Sequence, residues 1–238
     1  MPNYKDVVYF TDEFGWDNYP QKLCNYLHEL YFKKYTRKAK KPKLLDLGSG
    51  KGNHLVGFKR LGISTYGLDK RREFLKVPGN IPVRYCNFES DRFPFKTAYF
   101  DFIFSKSVIE HVSDIEKMMK ESYRVLKPGG IIVIMTPDWS SHFKYFYDDY
   151  THKTPLTRKG LQNVLRLFGF DVITAEYFYQ LPFVWKHPWL KVIPQAISLL
   201  PDWLKWRDEA EHNPRKIIRF SKEKMLIAVG VKQKHKND

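Results

Sequence analysis

The sequence predicts an α/β fold with a mainly parallel sheet that helices cover on both faces. Short apolar runs typical of buried strands alternate along the chain with segments of helical character. Three glycines at alternate positions follow the first apolar run directly, as at a strand-to-helix turn. A second short predicted strand ends in an acidic residue about 20 residues further on, where nucleotide-binding βαβ units place a carboxylate. At 238 residues the chain is long enough for one such domain with an elaboration.

A glycine-rich turn follows the first predicted strand, which ends in the apolar stretch at residues 44–47. Glycine tolerates positive φ and lets a ligand approach the backbone, and the N–H groups that begin the next helix favour a negatively charged group. Dinucleotide enzymes use the spacing G-x-G-x-x-G or A, but the position that needs this last residue holds Asn53. The pattern D-x-G-x-G-x-G from Asp46 to Gly52 instead resembles motif I of class I S-adenosylmethionine-dependent methyltransferases.

The next two predicted strands carry further candidates for cofactor binding. Strand two, residues 64–69, ends in Asp69, whose carboxylate can accept hydrogen bonds from both hydroxyls of a ribose. Strand three, residues 81–86, is followed by Asn87 and Phe88. The family often has an acid there that contacts the adenine amino group, beside an apolar residue that lies against the ring. Asn87 departs from that acid, although its side-chain oxygen can still accept a hydrogen bond.

The strand-four region strengthens the resemblance. Residues 99–105 are predicted as strand four, residues 107–112 as the opening of the next helix, and residues 131–135 as strand five after a turn. The block resembles the small-molecule, methyltransferase type 11-like branch of the class I enzymes, through its F-D-x-I-x-S…E-H-V and L-K-P-G-G signatures. Glu110 and His111 of the E-H-V signature are expected to position the helix. The resemblance covers residues 42–138.

This resemblance implies a Rossmann-like, seven-stranded mixed sheet with an antiparallel last strand, and S-adenosyl-L-methionine as the cofactor. Strands six and seven are predicted over residues 170–178 and 225–231. Motif I would hold the methionine portion, Asp69 the ribose, and Asn87 with Phe88 the adenine, while the turn after strand four would border the reactive methyl. The implied cofactor-binding residues are Asp46, Leu47, Gly48, Ser49, Gly50, Gly52, Asp69, Lys70, Asn87, Phe88, Ser105 and Lys106.

The chain is predicted to form a single methyltransferase domain over residues 1–238. Its parts are an N-terminal cap and helix (1–41), a cofactor-binding core (42–138), a substrate-side loop with a helix and strand six (139–180), a lid-like insertion (181–220), and the last strand with a basic tail (221–238). The cap precedes a helix predicted over residues 21–34. Its aromatic rings can close over a sulfonium or simply pack in the core: Tyr4, Tyr9, Phe10, Phe14, Trp16 and Tyr19.

A polar and aromatic loop follows strand five. It looks like the D-x-T-H-x-x-P-x-T element of methyltransferases linked to glycan and small-molecule pathways, running here from Asp149 to Thr157. Thr157 is expected to cap a helix that extends to Phe168, with Gly169 ending it.

The same loop supplies the candidate general base. A hydroxyl or ammonium acceptor must lose a proton when it is methylated. We predict His152 for that role, oriented by Asp149, because an imidazole titrates near neutrality. His111 is the second candidate. The alternative is that His152 only braces its loop through hydrogen bonds.

The insertion at 181–220 carries four tryptophans, and prolines divide it into short helical pieces. Tryptophan beside lysine suits a membrane interface. A dimer surface and simple capping of the core are the other interpretations. We favour a lid over an apolar or lipid-linked substrate.

Composition limits the partners and the compartment. The formal charge of +15 attracts nucleic acid, anionic lipid or phosphorylated metabolites, or reflects an ordinary solvated surface. Two cysteines make a disulfide framework improbable, and no secretion signal or membrane span is recognisable, so a cytoplasmic location is predicted, with peripheral membrane contact as a further option. No Cys/His cluster with metal-ligand spacing is found, so no metal site is predicted.

The favoured function is methyl transfer to an oxygen or nitrogen of a small-molecule, sugar or lipid-linked acceptor. An RNA methyltransferase is the alternative enzyme, supported by charge alone. Strand four lacks the D/N-P-P-Y/F pattern of exocyclic-amine enzymes, and no cysteine follows it as cytosine C5 enzymes require. A non-catalytic cofactor-binding or scaffold subunit is the alternative of a different class.

Overall fold

A seven-stranded mixed sheet forms the centre of the computed structural model, which describes residues 19–36, 41–201, 203 and 216–234. The strands lie in the order β3-β2-β1-β4-β5-β7-β6. Strand β7 is antiparallel to both β5 and β6, and the other neighbours are parallel. The predicted sheet and its antiparallel last strand are thereby confirmed. The strands are β1 (Lys43–Leu47), β2 (Ser64–Asp69), β3 (Val83–Tyr85), β4 (Phe100–Lys106), β5 (Leu126–Pro137), β6 (Phe170–Phe178) and β7 (Met225–Lys232).

The helices connect these strands and are mostly short. Helix α1 (Tyr19–Leu27) continues through a π-helical turn, His28–Phe32, into α2 (Lys33–Thr36). The others are α3 (Asn53–Arg60), α4 (Ile115–Val125), α5 (Trp139–His142), α6 (Arg158–Leu167), α7 (Pro182–Lys186), α8 (Val192–Ser198) and α9 (Lys216–Lys222). Single 3₁₀ turns lie at Arg72–Phe74, Ile109–His111, Phe146–Asp148 and Pro188–Lys191.

Helices cover both faces of the sheet, as the sequence predicted. Successive strand residues point to opposite faces, so Leu44 and Leu45 enter two different apolar clusters. Helices α4 and α6 cover the Leu45 face, while α1 and α3 cover the Leu44 face. The central strands are therefore buried on both sides, which explains their continuous apolar runs.

The segment after β4 differs from the prediction. A helix was expected from residue 107, but Ser107 has φ +57°, which breaks the helical path, and only a 3₁₀ turn follows at Ile109–His111. Helix α4 begins at Ile115, where the Asp114 side chain accepts a hydrogen bond from Glu116 N–H at 2.9 Å. The sequence signature around Glu110 therefore forms an irregular turn at the sheet edge.

Strands three and five also differ from the prediction in their extent. Strand β3 has three residues where six were expected. Strand β5 already begins at Leu126, since the predicted turn is a bulge that separates the pairs Phe100–Leu126 and Phe102–Ile131. The left-handed Gly129, at φ +75°, accommodates this bulge.

The chain after β5 follows the prediction more closely. Thr157 Oγ1 accepts a hydrogen bond from Gly160 N–H at 3.1 Å and caps α6, while Gly169 follows the helix at φ +85°. The insertion contains the expected short helices up to residue 198. Within the described ranges, every helix is too short or too polar to cross a membrane. The aromatic cap at residues 1–18 and much of the insertion at 204–215 lie outside the described residues.

Candidate functional site

The carboxyl ends of β1, β2 and β4 meet at one edge of the sheet. The strand order reverses between β1 and β4, which is where open α/β sheets leave a crevice for ligands. The glycine turn lies at this edge and is tied to the end of β2, because Gly48 N–H and Ser49 N–H both donate to Leu68 O, at 2.8 and 3.2 Å. We call this region, residues 46–52 with residues 69–71, the glycine crevice.

The glycine crevice is tightly packed on one side and open on the other. A Cβ at Gly48 would lie 2.3 Å from Val108 Cγ2, so only glycine fits there. A Cβ at Gly50 would meet no atom within 4 Å, although Gly50 also has a positive φ of 50°. The open side at Gly50 is where a ligand can approach the backbone.

Two carboxylates lie beneath this turn. Asp69 accepts hydrogen bonds from Gly50 N–H through Oδ2 at 2.8 Å and from Arg71 N–H through Oδ1 at 2.9 Å. Asp46 is 2% exposed, and its burial, reinforced by the charge of Asp69, raises the pKa of its carboxyl well above the usual range. Burial also raises the pKa of Asp69. A positively charged ligand would stabilise both ionised carboxylates.

Several polar atoms around the crevice fit a polar ligand. Among the described residues, Asp46 Oδ2, Ser49 Oγ and Ser105 Oγ are buried and have no hydrogen-bond partner. Buried polar atoms of this kind usually have a partner, so they mark a place where a bound group can supply one. The glycine crevice therefore fits the predicted cofactor, which carries both an ammonium and a sulfonium.

The predicted adenine contacts are placed differently. Asn87 Oδ1 accepts a hydrogen bond from Glu89 N–H at 3.1 Å, so this oxygen already stabilises its own turn. Phe88 is 3% exposed and its ring lies 6.0 Å from that of Phe93, within the core. The Phe88 ring is thus almost completely covered by the protein's own atoms.

Two lysines lie at the carboxyl ends of β2 and β4, the strands on either side of β1. Lys70 follows β2 and is largely exposed, and partial desolvation lowers the pKa of its amine. Lys106 closes β4, and burial lowers the pKa of its amine. The carboxylate of Glu110 is 1% exposed, accepts a hydrogen bond from Thr136 Oγ1 at 2.9 Å, and has its pKa raised by burial to about 7. Glu110 and Lys106 thus place opposite charges near each other at the end of β4.

The predicted general-base residues come together beside Glu110. The ring centroids of His111 and His152 are 4.7 Å apart. Asp149 Oδ2 lies 3.8 Å from His152 Nε2, so the predicted Asp149–His152 pairing is present. Burial, followed by the neighbouring His152, lowers the pKa of His111 to about 4. We call Glu110, His111, Asp149 and His152 the histidine cluster.

Backbone hydrogen bonds join the two segments of the histidine cluster. Lys153 N–H and Thr154 N–H both donate to Glu110 O, at 2.7 and 3.0 Å. Thr151 Oγ1 lies 2.7 Å from Asp149 Oδ1 and 2.8 Å from His111 Nδ1, and so bridges the two segments. Sequence reasoning did not assign Thr136 or Thr151 to the site, and it gave Glu110 only a positioning role, because their contacts are between residues distant in the chain.

The comparisons with known proteins agree with this architecture. Residues 45–134 match a family model described as a methyltransferase domain. A ubiquinone biosynthesis O-methyltransferase of Pelagibacter ubique (strain HTCC1062) is 25% identical over 175 residues, which cover 71% of this chain and 62% of that protein. The chain spans less than two thirds of the first curated relatives that it matches, at 62%, 65% and 30% of their lengths.

Solved structures resemble the whole described fold. An S-adenosylmethionine-dependent methyltransferase from Archaeoglobus fulgidus superposes with a TM-score of 0.63 at 21% identity, covering 97% of this chain and 100% of that chain. Phosphoethanolamine N-methyltransferase 2 of Haemonchus contortus, solved with S-adenosyl-L-methionine, superposes with a TM-score of 0.59 at 18% identity, covering 98% and 61% of the two chains.

Proposed function

We propose that this chain, which belongs to the class I S-adenosylmethionine-dependent methyltransferases, transfers a methyl group from S-adenosyl-L-methionine to an oxygen or nitrogen of a small-molecule, sugar or lipid-linked acceptor. The observation that carries this proposal is the juxtaposition at one sheet edge of a glycine crevice suited to a cationic ligand and a cluster of proton acceptors. A donor site and a proton-accepting site are the two parts that methylation of a hydroxyl or ammonium requires.

In this proposal the glycine crevice holds the methyl donor. The cofactor would supply a methyl group bonded to a sulfonium sulfur. In an in-line displacement the S–CH₃ bond breaks, and the rest of the cofactor leaves as a neutral thioether. The turn at residues 48–52 would hold the methionine portion, and the open backbone at Gly50 favours close approach. Each oxygen of Asp69 accepts one backbone hydrogen bond and keeps capacity to accept another, from a ribose hydroxyl. Asp46 and Ser105 would contribute their unpaired polar atoms.

The histidine cluster supplies the proton acceptor. His152 Nδ1 lies 2.6 Å from Phe146 O, and because a carbonyl can only accept, this nitrogen carries the proton. The lone pair of His152 is therefore on Nε2, which can take the acceptor's proton while Asp149 stabilises the resulting charge. The half-buried His111, whose pKa is lowered to about 4, remains the second candidate.

An exposed apolar surface supports a lipid-linked acceptor and peripheral membrane contact. Trp189, Val192 and Leu199 are 72%, 60% and 86% exposed, and Lys186 and Lys191 lie among them. Residues 181–200 contain no acidic side chain. Apolar and basic side chains together favour the surface of an anionic membrane. The charge of +15 by itself supports the second candidate, RNA.

A transfer assay tests this function. Labelled S-adenosyl-L-methionine is incubated with the protein and, separately, with lipid extract, nucleotide sugars and RNA. We expect label in the lipid or sugar pool, with the rate reduced about 10²- to 10⁴-fold in His152→Asn. His28→Asn, which changes a histidine beside Glu29 outside both the cluster and the exposed apolar surface, should keep the wild-type rate. Label only in RNA would move the assignment to the second candidate, and donor binding with no transfer to any pool would favour the non-catalytic subunit.

A further inference from the structure

We propose that Glu110, His111 and His152 bind a divalent first-row metal ion, Zn²⁺ or Mn²⁺, on the acceptor side of the site. Each residue offers one ligand atom, and these atoms lie within 4.8 Å of one another. This inference rests on the proposed function, because it assigns a partner to the same cluster. Sequence spacing could not predict it, since helix α4, strand β5 and the segment after β5 separate Glu110 and His111 from His152.

The ligand set has the chemistry of an open metal site. Two imidazoles and one carboxylate leave positions free for a substrate oxygen, as in catalytic zinc and non-haem metal sites. Metal–ligand bonds of about 2.1 Å need ligand atoms roughly 3.5 Å apart. Side-chain rotations that move these atoms by about 1 Å would therefore close the site. Glu110 and His111 lie in the irregular turn after β4, and His152 lies in a loop, where such rotations do not disturb the sheet.

Both histidines are held in the form that a metal ligand requires. The His152 Nδ1–H donates to Phe146 O, so Nε2 is the atom with a lone pair. His111 Nδ1 lies 3.3 Å from Thr151 O and 2.8 Å from Thr151 Oγ1, whose own hydroxyl donates to Asp149. The His111 Nδ1 therefore also carries a proton. A carboxylate or carbonyl that fixes the distal nitrogen is the usual support of a metal-bound histidine.

Charge favours a cation at the same place. The carboxylate of Glu110 is buried, and the second carboxylate, Asp149, has Oδ2 at 3.8 Å from the lone-pair nitrogen of His152. A carboxylate oxygen and a nitrogen lone pair that face each other at this distance are best stabilised by a proton or a cation between them. His152 acts as a general base if its Nε2 accepts a proton, and as a ligand if its Nε2 binds a metal ion. The two roles can be separated by experiment.

A bound ion would change how the acceptor loses its proton. An acceptor hydroxyl bound to the ion would be more acidic, so its O–H bond would break and its proton would pass to Asp149. The oxygen then forms the new bond to the methyl carbon while the S–CH₃ bond breaks and its electron pair leaves with the thioether. Asp149 returns the proton to solvent, which completes the balance.

Metal binding can be measured without substrate. The full chain, freed of any histidine tag and treated with EDTA, is dialysed against Zn²⁺ and, separately, Mn²⁺. We expect about one ion per chain. His111→Asn and His152→Asn should each weaken binding more than 100-fold, and Thr151→Val about 10- to 100-fold. The exposed His187→Asn is the matched control and should bind as wild type does. Circular dichroism checks that each variant is folded.

The outcomes separate this inference from the proposed function. Absence of saturable binding by the wild type, or unchanged binding by both folded histidine variants, overturns the metal site. If the donor binds and transfer is insensitive to EDTA, His152 stays a proton acceptor and the function stands without the ion. If the ion binds at the cluster but the protein never binds S-adenosyl-L-methionine, the proposed function fails and the metal site stands.

Discussion

The glycine crevice and the histidine cluster occupy the same edge of the sheet but are built in opposite ways. The crevice is made of backbone groups and two carboxylates, Asp46 and Asp69, all within residues 46–71, and its hydrogen bonds join Gly48 and Gly50 to the end of the adjacent strand. The cluster is made of side chains from two segments, and its bridge between His111 and Thr151 spans 40 residues. A site built from one short stretch of chain depends on local spacing, whereas a site built from two distant segments depends on the whole fold. This difference predicts that the two regions respond independently to substitution.

The largest expected effect is the loss of donor binding when Asp69 in the glycine crevice is replaced. Asp69→Ala removes two charge-assisted hydrogen bonds that hold Gly50 and Arg71, together with the acceptor for the ribose. We expect the affinity for S-adenosyl-L-methionine to fall at least about 100-fold, since each such bond is worth about 1.5–3 kcal/mol. Calorimetry measures this. Asp171→Ala, which changes a carboxylate bonded to Gln233 far from the crevice, is the control.

The complementary variant is His152→Asn, which should change donor affinity less than about threefold. An equal loss of donor binding in Asp69→Ala and His152→Asn would show that the two regions form one cooperative unit and would break the comparison.

The next effect distinguishes the two sides of the glycine turn. Gly48→Ala places a methyl group against Val108 at positive φ, and should lower the free energy of unfolding by about 2–3 kcal/mol. Gly50→Ala meets open space, so it should cost about 1 kcal/mol of stability while it obstructs the ligand. Thermal denaturation and donor titration together should show a stability defect in the first variant and a binding defect in the second. Reversed defects would place the ligand on the Val108 side.

The smallest effect is a pH dependence specific to the crevice side. His54 lies in the first turn of α3, and burial, followed by the charge of Lys106, lowers its pKa from 6.5 to about 3. The unfolded chain then binds a proton that the folded chain does not, so stability is lost as the pH falls below 6.5. Between pH 7 and 5.5 the wild type should lose about 1 kcal/mol more than His54→Leu, by denaturant titration. Identical losses in both proteins would mean that His54 is protonated in the folded state.

The sequence predicted the parts of the fold that depend on local pattern. Residues 64–69 and 170–178 form strands with the predicted bounds, because each contains β-branched and aromatic residues and follows closely after a left-handed glycine, Gly62 or Gly169. The glycine spacing likewise located the crevice, since glycine is the residue that tolerates the close approach at Gly48.

Other features were beyond the sequence because they arise from tertiary contacts. The left-handed Ser107, which delays the helix after β4, carries no signal of its own. Phe88 was predicted to lie against adenine, and the packing of its ring against Phe93 in the core is a tertiary contact that the sequence did not indicate. Asp149 and His152 were recognised as a motif, whereas Glu110 and Thr136 joined them only through the pairing of β4 and β5.

Calorimetric titration of the wild-type protein with S-adenosyl-L-methionine tests the central claim most directly. The buried carboxylates Asp46 and Asp69 and the open backbone at Gly50 predict saturable binding of one cofactor per chain. S-adenosylhomocysteine should compete for the same site. A protein that is folded by circular dichroism and yet shows no saturable binding of either compound would contradict the account.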